Sequence, residues 1–454
     1  MAKLFGSSGV RGLANVDLTP QLACKIGLAV AEYSKAKKAV VARDTRVSGG
    51  MLQDALVSGL LSTGTDVYLA GIIPTPALAY VTLMLAADAG FMLTASHNPP
   101  EYNGIKVFKP DSLSYTDDDQ DAVEKKIADD TYALADWRSL GKTFPFDAEQ
   151  IYTEMALKAV TLKRQWRVIV DPGCGATFNV APSLLKRIGC KVTALNAQPD
   201  GHFPARKSEP TAESLKDLAD IVKALGADIG VAFDGDGDRV AFVDEKGAFV
   251  NFDRSLAAYA AYALNQVGGG TVVTNVEASM CVETMVQAQG GKVIRTRVGD
   301  IYLSEAIKQT GAVFGGEPCG AWIHPKFHFC PDGPLSAALM LKALEDSKES
   351  LSQLVSSVPE YITRRENFAC KNAQKYKVIT KLESPLKEAF PDYTDFSTID
   401  GVRLALKHGW LLVRASGTEP LVRLTVEGES LAVANDITQK ATALIHKQVE
   451  AEKT

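Results

Sequence analysis

The chain has 454 residues, of which 46% are hydrophobic and 23% charged, and its formal net charge is −5. A chain of this length is too long for one core and predicts about three or four domains. The acidic balance offers no basic surface for nucleic acid, and no stretch approaches the roughly 20 apolar residues that a bilayer crossing needs. We therefore expect neither a nucleic-acid partner nor a membrane span.

The seven cysteines form no CxxC pair, and their odd number argues against a disulfide framework. The six histidines likewise show no spacing typical of a metal site. The first residues lack the apolar core of a signal peptide. These features predict a reduced, cytoplasmic setting.

Along the chain, the succession strand, helix, strand, helix, strand is predicted three times. The predicted strands span residues 39–42, 66–69 and 90–93, then 167–170, 191–194 and 228–233, and then 271–274, 292–295 and 312–314. Strands that alternate with helices favour mostly parallel sheets with helices on both faces. Ligands of such sheets gather at the carboxyl ends of strands, where each third strand runs into an unusual loop.

The pattern changes from about Tyr361, where a strand, a helix, paired strands and a final helix are predicted. These later elements are the helix 375–389, the strands 402–406, 410–414 and 421–426, and a helix from about Ser430. We therefore predict an α/β protein with three similar α/β domains of mixed, mostly parallel sheets and a smaller C-terminal α+β domain, arranged around a central cleft. The predicted domains are 1–147, 148–248, 249–360 and 361–454, with residues 141–145 as a linker.

Ser96 follows an apolar run at residues 89–93 that reads as a buried strand. His97 comes next, residues 103–104 are an Asn-Gly pair that predicts a tight turn, and Lys106 lies on the strand that resumes after it. The segment could thus present a hydroxyl, an imidazole and an ammonium group to one space. These groups suit a nucleophile or phosphate carrier with two partners that move protons or neutralise phosphate. A capped polar loop is the alternative.

Three aspartates alternate with glycines directly after the predicted strand 228–233: Asp234, Asp236 and Asp238. Residues two apart in an extended segment point the same way, so the carboxylates can converge on one ion. Hard oxygen ligands suit Mg²⁺ or Ca²⁺, not zinc. A calcium EF-hand loop does not fit, because Arg239 stands where a glycine is required and the flanks read as strands. A turn without an ion would leave three like charges to repel one another.

The segment 414–420 joins two predicted strands and contains an arginine, two hydroxyl side chains and a glycine. A guanidinium can bond two phosphate oxygens at once, and a glycine frees the backbone to approach them. This pattern is typical of a phosphate cradle, with an ordinary hairpin turn as the alternative. The candidate phosphate ligands are Arg414, Ser416, Gly417, Thr418 and Arg423.

Two further loops and one tripeptide carry polar groups. Arg11 lies in an N-terminal Gly/Ser loop that lacks the Gly-Lys-Ser/Thr ending of a P-loop. Residues 44–46, Asp-Thr-Arg, are interpreted as a helix N-cap in preference to a support for the serine loop. In the loop 316–320, Glu317 could accept hydrogen bonds from sugar hydroxyls, whereas Cys319 has no nearby base and is predicted to be a contact or packing residue.

These loops, in this order, resemble the signature loops of the α-D-phosphohexomutases. The segment 94–100 is similar to the phosphoserine loop, 234–239 to the magnesium loop, 316–320 to the sugar loop and 414–420 to the phosphate loop. The resemblance extends from residue 4 to about residue 426, with further matches at 5–11 and 297–300. It is strongest to the phosphoglucosamine mutase branch, including its archaeal forms, with phosphomannomutase/phosphoglucomutase relatives close behind.

The resemblance implies an isomerase that stores a phosphoryl group on Ser96, which would bind Mg²⁺ together with the three aspartates. The serine would phosphorylate a hexose or hexosamine monophosphate. A bound sugar 1,6-bisphosphate, which is also the activator, would then turn around in the cleft and return its other phosphate. Glucosamine 6-phosphate and glucosamine 1-phosphate are the expected pair. Arg11 and Lys106 would neutralise charge, and Lys106 and His97 would move protons.

The same resemblance assigns substrate contacts to a further set of residues: Arg239, Gly299, Asp300, Glu317 and Cys319. The C-terminal domain would be mobile, since its loop must hold the phosphate of two sugar orientations. Many relatives have a serine in place of Cys319 and a histidine in place of Ala321, and His324 or His328 could fill that space. The chain could be a monomer or a homodimer.

Three alternatives remain for the function. The same chemistry could act on mannose or glucose phosphates, the scaffold could be a non-catalytic sugar-phosphate-binding protein, or it could be a Mg²⁺-dependent phosphatase. The serine, the aspartates and Lys106 argue against a binding protein, because a binder has no need of a phosphorylatable serine beside a cation site.

Overall fold

The computed structural model describes residues 4–6, 8–417 and 419–452. Within these residues the strands form four sheets, which follow one another along the chain. The first three sheets mix parallel and antiparallel pairs, and the last is antiparallel throughout. No helix in these ranges is long and apolar enough to span a membrane.

The first unit contains seven strands and four helices. The strands are β1 (Phe5–Gly6), β2 (Gly9–Leu13), β3 (Lys38–Arg43), β4 (Asp66–Ile72), β5 (Ala89–Leu93), β6 (Tyr102–Phe108) and β7 (Thr143–Pro145). The helices are α1 (Pro20–Ser34), α2 (Gly49–Ser62), α3 (Thr75–Met84) and α4 (Asp117–Asp129). The sheet order is β1-β2-β6-β5-β3-β4-β7, and β3, β4, β5 and β7 pair in parallel.

The second and third units each have a four-stranded sheet. The second has α5 (Ala148–Ala159), β8 (Arg167–Asp171), α6 (Val180–Arg187), β9 (Lys191–Ala194), α7 (Lys216–Leu225), β10 (Ile229–Phe233) and β11 (Val240–Val243). The third has α8 (Phe252–Asn265), β12 (Thr271–Asn275), α9 (Cys281–Ala288), β13 (Lys292–Thr296), α10 (Asp300–Thr310), β14 (Phe314–Gly316), β15 (Trp322–Ile323), α11 (Gly333–Ser347) and α12 (Leu351–Ser356). The strand orders are β11-β10-β8-β9 and β13-β12-β14-β15.

The fourth unit is a five-stranded antiparallel sheet with two helices. Its elements are β16 (Ile362–Ala369), α13 (Asn372–Ala389), β17 (Asp395–Ser397), β18 (Val402–Leu406), β19 (Gly409–Ala415), β20 (Leu421–Gly428) and α14 (Leu431–Ala451). The strand order is β16-β20-β19-β18-β17. The strands alternate between buried apolar side chains that pack on α13 and α14 and a face that looks toward the third unit.

The first three units share one layout that determines where their loops begin. In each unit a buried strand is followed by a loop and then by an antiparallel strand: β5 by β6, β10 by β11, and β14 by β15. Every residue of β5 and β10 is buried, as expected for central strands covered on both faces. The three loops that the sequence singles out therefore begin at the carboxyl ends of equivalent strands.

The apolar cores divide the molecule into two bodies. One continuous cluster joins side chains of the first three units, from Val40 to Val358. The fourth unit has its own core between its sheet and its helices. A small cluster, in which Trp410 and Leu412 pack on Val276, connects the fourth unit to the third. The fourth unit is thus the one most weakly tied to the rest by apolar packing.

The predicted fold class is confirmed, with three α/β units followed by a smaller α+β unit. All nine strands predicted for the three repeats are present, and the largest displacement of a whole strand is that of β14, which begins two residues later than expected. The exact limits between the domains stay predictions.

The predicted turn at residues 103–104 is wrong. Both residues lie inside β6, where the Gly104 carbonyl accepts a hydrogen bond of 3.0 Å from the N–H of Thr94. The chain turns earlier, where the N–H of Tyr102 bonds to the Pro99 carbonyl at 3.1 Å. Pairing with a neighbouring strand outweighs the local turn preference of Asn-Gly.

The prediction of a linker at residues 141–145 is also wrong. Thr143–Pro145 forms the edge strand β7, which pairs in parallel with β4. Phe144 stacks on Tyr68 of β4 with 5.3 Å between the ring centroids. This aromatic contact across the strands gives a short polar segment a reason to join the sheet.

Candidate active site

Ser96 lies just beyond β5 with its side chain directed at the aspartates of the second unit. Its hydroxyl donates a hydrogen bond of 2.6 Å to Oδ2 of Asp234, and its N–H donates one of 2.9 Å to the Thr94 hydroxyl. Its φ of +52° is in the left-handed region, which is strained for a residue other than glycine. The side chain is 1% exposed. The loop therefore holds one hydroxyl in one direction.

The close approach of the two loops depends on a glycine. A Cβ atom built on Gly235 would lie 2.5 Å from the Ser96 carbonyl oxygen, so no larger residue fits there. The alternation of glycine and aspartate thus has a steric reason in addition to its flexibility. It lets the backbone of the second unit reach the serine loop of the first.

The three aspartates form a compact buried cluster. One oxygen from each of Asp234, Asp236 and Asp238 lies within 4.8 Å of the others. Oδ1 of Asp236 and Oδ1 of Asp238 are enclosed, and neither has a hydrogen-bond partner among the described residues. Buried carboxylate oxygens without a partner are costly, and hard oxygen donors are the ligands that Mg²⁺ prefers. The residues present therefore fit a divalent cation.

Lys106 forms ion pairs with two of these aspartates. Its Nζ lies 2.8 Å from Oδ2 of Asp236 and 2.5 Å from Oδ2 of Asp238. Burial alone would lower the pKa of Lys106, but the two carboxylates raise it above its usual range. Burial and the neighbouring carboxylates raise the pKa of Asp234, whereas Lys106 overcomes burial and lowers that of Asp236. Lys106 is thus held as an ammonium ion.

His97 lies beside the serine as a neutral imidazole. Its Nδ1 is 3.4 Å from the Ser96 hydroxyl oxygen. Burial, followed by the positive charges of Arg239 and Arg11, lowers the pKa of His97 to about 2. The ring can therefore accept or relay a proton at neutral pH but carries no charge of its own.

Arg11 and Arg239 add positive charge next to the serine loop. Nη1 of Arg11 donates a hydrogen bond of 2.8 Å to the side-chain oxygen of Asn98, and its Nε is buried without a partner. Nη1 of Arg239 lies 3.8 Å from Oε1 of the half-exposed Glu209, and Arg239 pairs by a backbone bridge with Ala321. That bridge joins the aspartate loop to the loop after β14. An anionic substrate would meet two guanidinium groups here.

Arg46 is the residue that the sequence interpretation misjudged most. The N-cap of α2 is Ser48, and its side chain makes no capping bond, so residues 44–46 are not the predicted cap. Arg46 is 1% exposed and its Nε pairs with Asp44 at 3.0 Å. Its two terminal nitrogens donate to four carbonyls of the serine loop, those of Ser96, Asn98, Pro99 and Tyr102, at 2.5–2.9 Å. The one feature of the sequence that could have indicated this role was the Asp-x-Arg pattern directly after β3, the strand that neighbours β5.

The loop after β14 holds a buried carboxylate and a neutral thiol. Oε1 of Glu317 accepts hydrogen bonds of 2.8 Å from the side chain of Asn275 and from the N–H of Gly299. Asp300 begins α10, is partly buried, and accepts a bond of 3.3 Å from the Ser8 hydroxyl. Gly299 and Glu317, both of which the resemblance assigns to substrate contacts, thus lie in direct contact.

Cys319 lies next to Glu317, with 3.9 Å between its sulfur and Oε2. Burial raises the pKa of Cys319 to about 12, so the group is a thiol at neutral pH. The two histidines proposed to fill the space beside Ala321 are used elsewhere. Nε2 of His324 bonds to Ser336 and Nε2 of His328 bonds to Asp332, at 2.8 and 2.9 Å, at the start of α11. That expectation is therefore wrong.

The phosphate loop of the fourth unit already has carboxylate partners for its arginines. Nε of Arg414 bonds to Oε1 of Glu277 in the third unit at 2.6 Å, and Arg423 pairs with Glu419. The hydroxyl of Ser416 accepts from the N–H of Glu419 at 3.2 Å. A side chain on Gly417 would meet no atom within 4 Å, so the loop is open there, and Thr418 lies outside the described residues.

Two residues that contact this region were not predicted from the sequence. Lys375 on α13 is 4% exposed and its Nζ donates to the carbonyls of Ser416 and Glu419, at 2.5 and 3.3 Å. Glu277 follows β12, two residues after the Asn275 that binds Glu317. No local pattern marks either residue. Among the described residues no hydrogen bond joins the phosphate loop to the serine loop, so they act as separate parts of the site.

The comparisons with known proteins agree with this arrangement. The profile "Phosphoglucomutase/phosphomannomutase, alpha/beta/alpha domain I" matches residues 2–133, those of domains II and III match 149–247 and 251–361, and that of the C-terminal domain matches 366–444. A Methanopyrus kandleri protein named "Probable phosphoglucosamine mutase" is 43% identical over 452 residues, 99% of each chain. One of that name from Methanosarcina barkeri is 44% identical over 426 residues, 94% of this chain and 95% of the relative.

Solved structures show the same fold. A phosphoglucomutase/phosphomannomutase family protein from Burkholderia thailandensis has a TM-score of 0.90 at 28% identity and covers 98% of this chain and 97% of its own. An N-acetylphosphoglucosamine mutase from Aspergillus fumigatus has a TM-score of 0.66 at 15% identity, over 98% and 96% of the two chains, and shows the fold alone. The chain therefore belongs to the phosphoglucomutase/phosphomannomutase family, the α-D-phosphohexomutases, and is an isomerase of sugar phosphates.

Proposed function

We propose that this isomerase is a phosphoglucosamine mutase, which interconverts glucosamine 6-phosphate and glucosamine 1-phosphate. The observation that carries the proposal is the hydrogen bond of 2.6 Å from the Ser96 hydroxyl to Asp234, inside a buried carboxylate cluster with two unpaired oxygens. The choice of sugar is supported by relatives that are 40–44% identical over nearly the whole chain and carry that name.

The proposed cation is Mg²⁺, held by Ser96, Asp234, Asp236 and Asp238. When bound, it would supply positive charge beside the phosphoryl group being transferred. The support is the chemistry of the donor set: all four groups are oxygen donors, and two carboxylate oxygens have no other partner. The Aspergillus fumigatus relative was solved with GlcNAc-6P and magnesium, which agrees with this choice.

Ser96 is the proposed phosphate carrier. In the first half of the reaction, a sugar hydroxyl oxygen bonds to phosphorus as the bond from phosphorus to the Ser96 oxygen breaks. The hydroxyl proton leaves the sugar and ends on the released Ser96 oxygen, and neutral His97 is placed to relay it. In the second half, the Ser96 oxygen bonds to the other phosphorus of the bound sugar 1,6-bisphosphate as the bond from that phosphorus to the sugar oxygen breaks, and the Ser96 proton passes to the released sugar oxygen. Atoms and charge balance over the two halves.

Lys106, Arg11 and Arg239 are proposed to stabilise charge. Lys106 is held charged by two carboxylates, so we assign it an electrostatic role and, as an ammonium ion, the donation of a proton. Phosphoryl transfer requires mainly positioning and neutralisation of the oxygens of the transferred group. A single ammonium and two guanidiniums around one serine meet that requirement.

The substrate contacts are proposed for two separate places. Glu317, Cys319, Gly299 and Asp300 would contact the sugar, and Glu317 is preorganised by two hydrogen bonds. The non-reacting phosphate would be held by the loop of the fourth unit: Arg414, Ser416, Gly417, Thr418 and Arg423. A variant of the same Aspergillus fumigatus protein was solved with glucose 1,6-bisphosphate, which agrees with a bisphosphate intermediate and activator.

The deciding experiment compares kcat/KM for glucosamine, mannose and glucose 6-phosphates, with the matching sugar 1,6-bisphosphate as activator. We expect glucosamine 6-phosphate to be preferred by about tenfold or more. A preference for mannose or glucose phosphate would replace the proposal with a phosphomannomutase/phosphoglucomutase. Release of inorganic phosphate without an isomerised sugar would indicate a phosphatase.

The proposed phosphoserine has a direct readout. After incubation with sugar 1,6-bisphosphate, the intact protein should gain the mass of one phosphoryl group, and peptide mapping should place it on Ser96. An unmodified protein would favour a sugar-phosphate-binding role. The cytoplasmic location stays a prediction, and all seven cysteines are free thiols.

A further inference from the structure

A cavity of about 600 Å³ lies between the third and fourth units. One wall comes from the loop after β12, α9 and β13, and the other from β17, β18 and β19. Trp410 lines it and lies four residues before Arg414 on β19, a distance of about 13 Å along a strand. The cavity is therefore separate from the phosphate loop, and its volume is in the range of small-molecule sites.

Arg403 of β18 lines this cavity and has no polar partner. It is 7% exposed, and its Nε is enclosed without a hydrogen-bond acceptor. Among the described residues none forms a hydrogen bond or an ion pair with its guanidinium, which lies over the Trp410 ring with 4.8 Å from Cζ to the ring centroid. A buried guanidinium without a partner is costly, so its retention requires a reason.

Two sets of charged groups near Arg403 have other partners, and a further carboxylate, Asp395, lines the same cavity. Arg295 is bonded to both oxygens of Glu283 at 2.7 and 2.8 Å and to two backbone carbonyls. Oε2 of Glu427 accepts from the Trp410 indole at 2.7 Å and from the N–H of Met280 at 2.9 Å. These pairs are complete in themselves. Among the described residues that line this cavity, Arg403 is the one arginine whose guanidinium lacks a hydrogen-bond acceptor.

We propose that this interdomain cavity is a binding site for a small organic monocarboxylate, held by the guanidinium of Arg403. The planar fork of a guanidinium matches the two oxygens of a carboxylate. Apolar side chains such as Val276, Met280 and Phe396 line the same space and suit a hydrocarbon or aromatic body. Glu283 and Asp395 also line it and would repel a polyanion, which disfavours phosphates.

Such a ligand would touch both walls of the cavity. Its carboxylate would bind β18 of the fourth unit while its body packs on α9 and β13 of the third. Because the apolar contact between these units is otherwise small, the ligand would favour the docked arrangement of the fourth unit. The inference does not depend on which sugar phosphate the enzyme isomerises.

The test uses benzoate as the probe and benzamide as its uncharged counterpart, with isothermal titration and thermal unfolding of the full-length protein. We expect one benzoate per chain and an increase in Tm, and no response to benzamide. Arg403→Met should weaken benzoate binding by about tenfold or more and remove the Tm increase. Without ligand, that variant should be at least as stable as the parent, since an unpaired buried charge is removed.

Three comparisons keep the proposal falsifiable. Arg414→Met, in the phosphate loop, and Arg364→Met, an exposed arginine of β16, should bind benzoate like the parent. Arg403→Lys keeps the charge without the fork and should bind with intermediate affinity. Hydrogen exchange should slow on both walls, in residues 276–287 and 395–410. Binding that is lost in Arg414→Met, equal binding of benzamide, or tighter binding of inorganic phosphate at Arg403 would each overturn the assignment.

Discussion

The serine loop and the phosphate loop both depend on arginines, but the arginines have opposite kinds of partner. The guanidinium of Arg46 bonds to four carbonyls of the serine loop and forms a fully buried ion pair with Asp44. Arg414 and Arg423 instead pair with the side chains of Glu277 and Glu419, which are partly exposed. The contacts of Arg46 fix the backbone of the serine loop. The carboxylates that pair with Arg414 and Arg423 can be replaced by another anion.

This difference matches what the two loops have to do in the proposed reaction. The serine must present the same oxygen for both phosphoryl transfers, so a rigid backbone is an advantage. The phosphate loop must release and bind the non-reacting group of a sugar that turns around. Carboxylates that exchange with a phosphate, on a unit with its own core, allow that.

The largest expected effect comes from the serine itself. Ser96→Ala removes the proposed phosphate carrier and should lower mutase turnover by about three orders of magnitude or more, while leaving the circular dichroism spectrum and Tm nearly unchanged. Ser58→Ala, on the exposed surface of α2, is the matched control and should be fully active. An active Ser96→Ala enzyme would refute the covalent route.

Removal of the proposed cation is a second test of the serine loop and the aspartate cluster. Chelation should abolish turnover, and Mg²⁺ at about 100 times its Kd should stabilise the parent by about 2.7 kcal/mol, because the ion binds only the folded cluster. Asp238→Asn should lose most of this increase. Equal stabilisation of the variant and the parent would mean that Mg²⁺ binds elsewhere.

Arg46→Met should break the rigid loop without touching the reacting groups. It leaves Asp44 buried and unpaired and frees four carbonyls, so we expect the free energy of unfolding in urea to fall by about 3–5 kcal/mol. Below the melting temperature kcat should fall while KM changes little, since the serine loop is distorted and the phosphate loop is not. Arg43→Met, at the last residue of β3, is the control, and equal losses in both variants would contradict the assigned role.

At the phosphate loop we expect a smaller effect, in the opposite direction, on substrate binding. Glu277→Gln removes the carboxylate that competes with substrate phosphate for Arg414, so KM should fall by about two- to fivefold with kcat little changed. The pair is partly exposed, which limits its strength. Glu388→Gln, exposed on α13, should leave KM unchanged. A rise in KM would show that Glu277 positions Arg414 for the substrate instead of blocking it.

The smallest effect is expected for Cys319→Ser. Burial raises the pKa of this thiol to about 12, so it stays protonated between pH 6 and 9 and can serve only as a neutral contact. Activity should remain within about twofold, and the pH profile of kcat/KM should keep its shape. A limb of the profile that disappears in the variant would contradict the assignment.

Local chemistry was readable from the sequence wherever one segment carried it. Ser96, the aspartate triplet and the Arg414 segment were each recognisable from neighbours a few residues away, and β14 was displaced by only two residues. The Asn-Gly pair at 103–104 was misread because strand pairing with distant residues outweighs a local turn preference. Residues 141–145 were misread for the same reason.

What the sequence by itself determined was the set of reactive groups and the alternation of elements, since both follow from side-chain type and short-range periodicity. Only the tertiary structure decided which groups meet. Arg46 lies 50 residues before the serine it supports, Lys106 130 before Asp236, and Arg414 137 after Glu277. Such contacts form because the carboxyl ends of separate strands converge, and their strength comes from burial, which no local stretch of sequence reports.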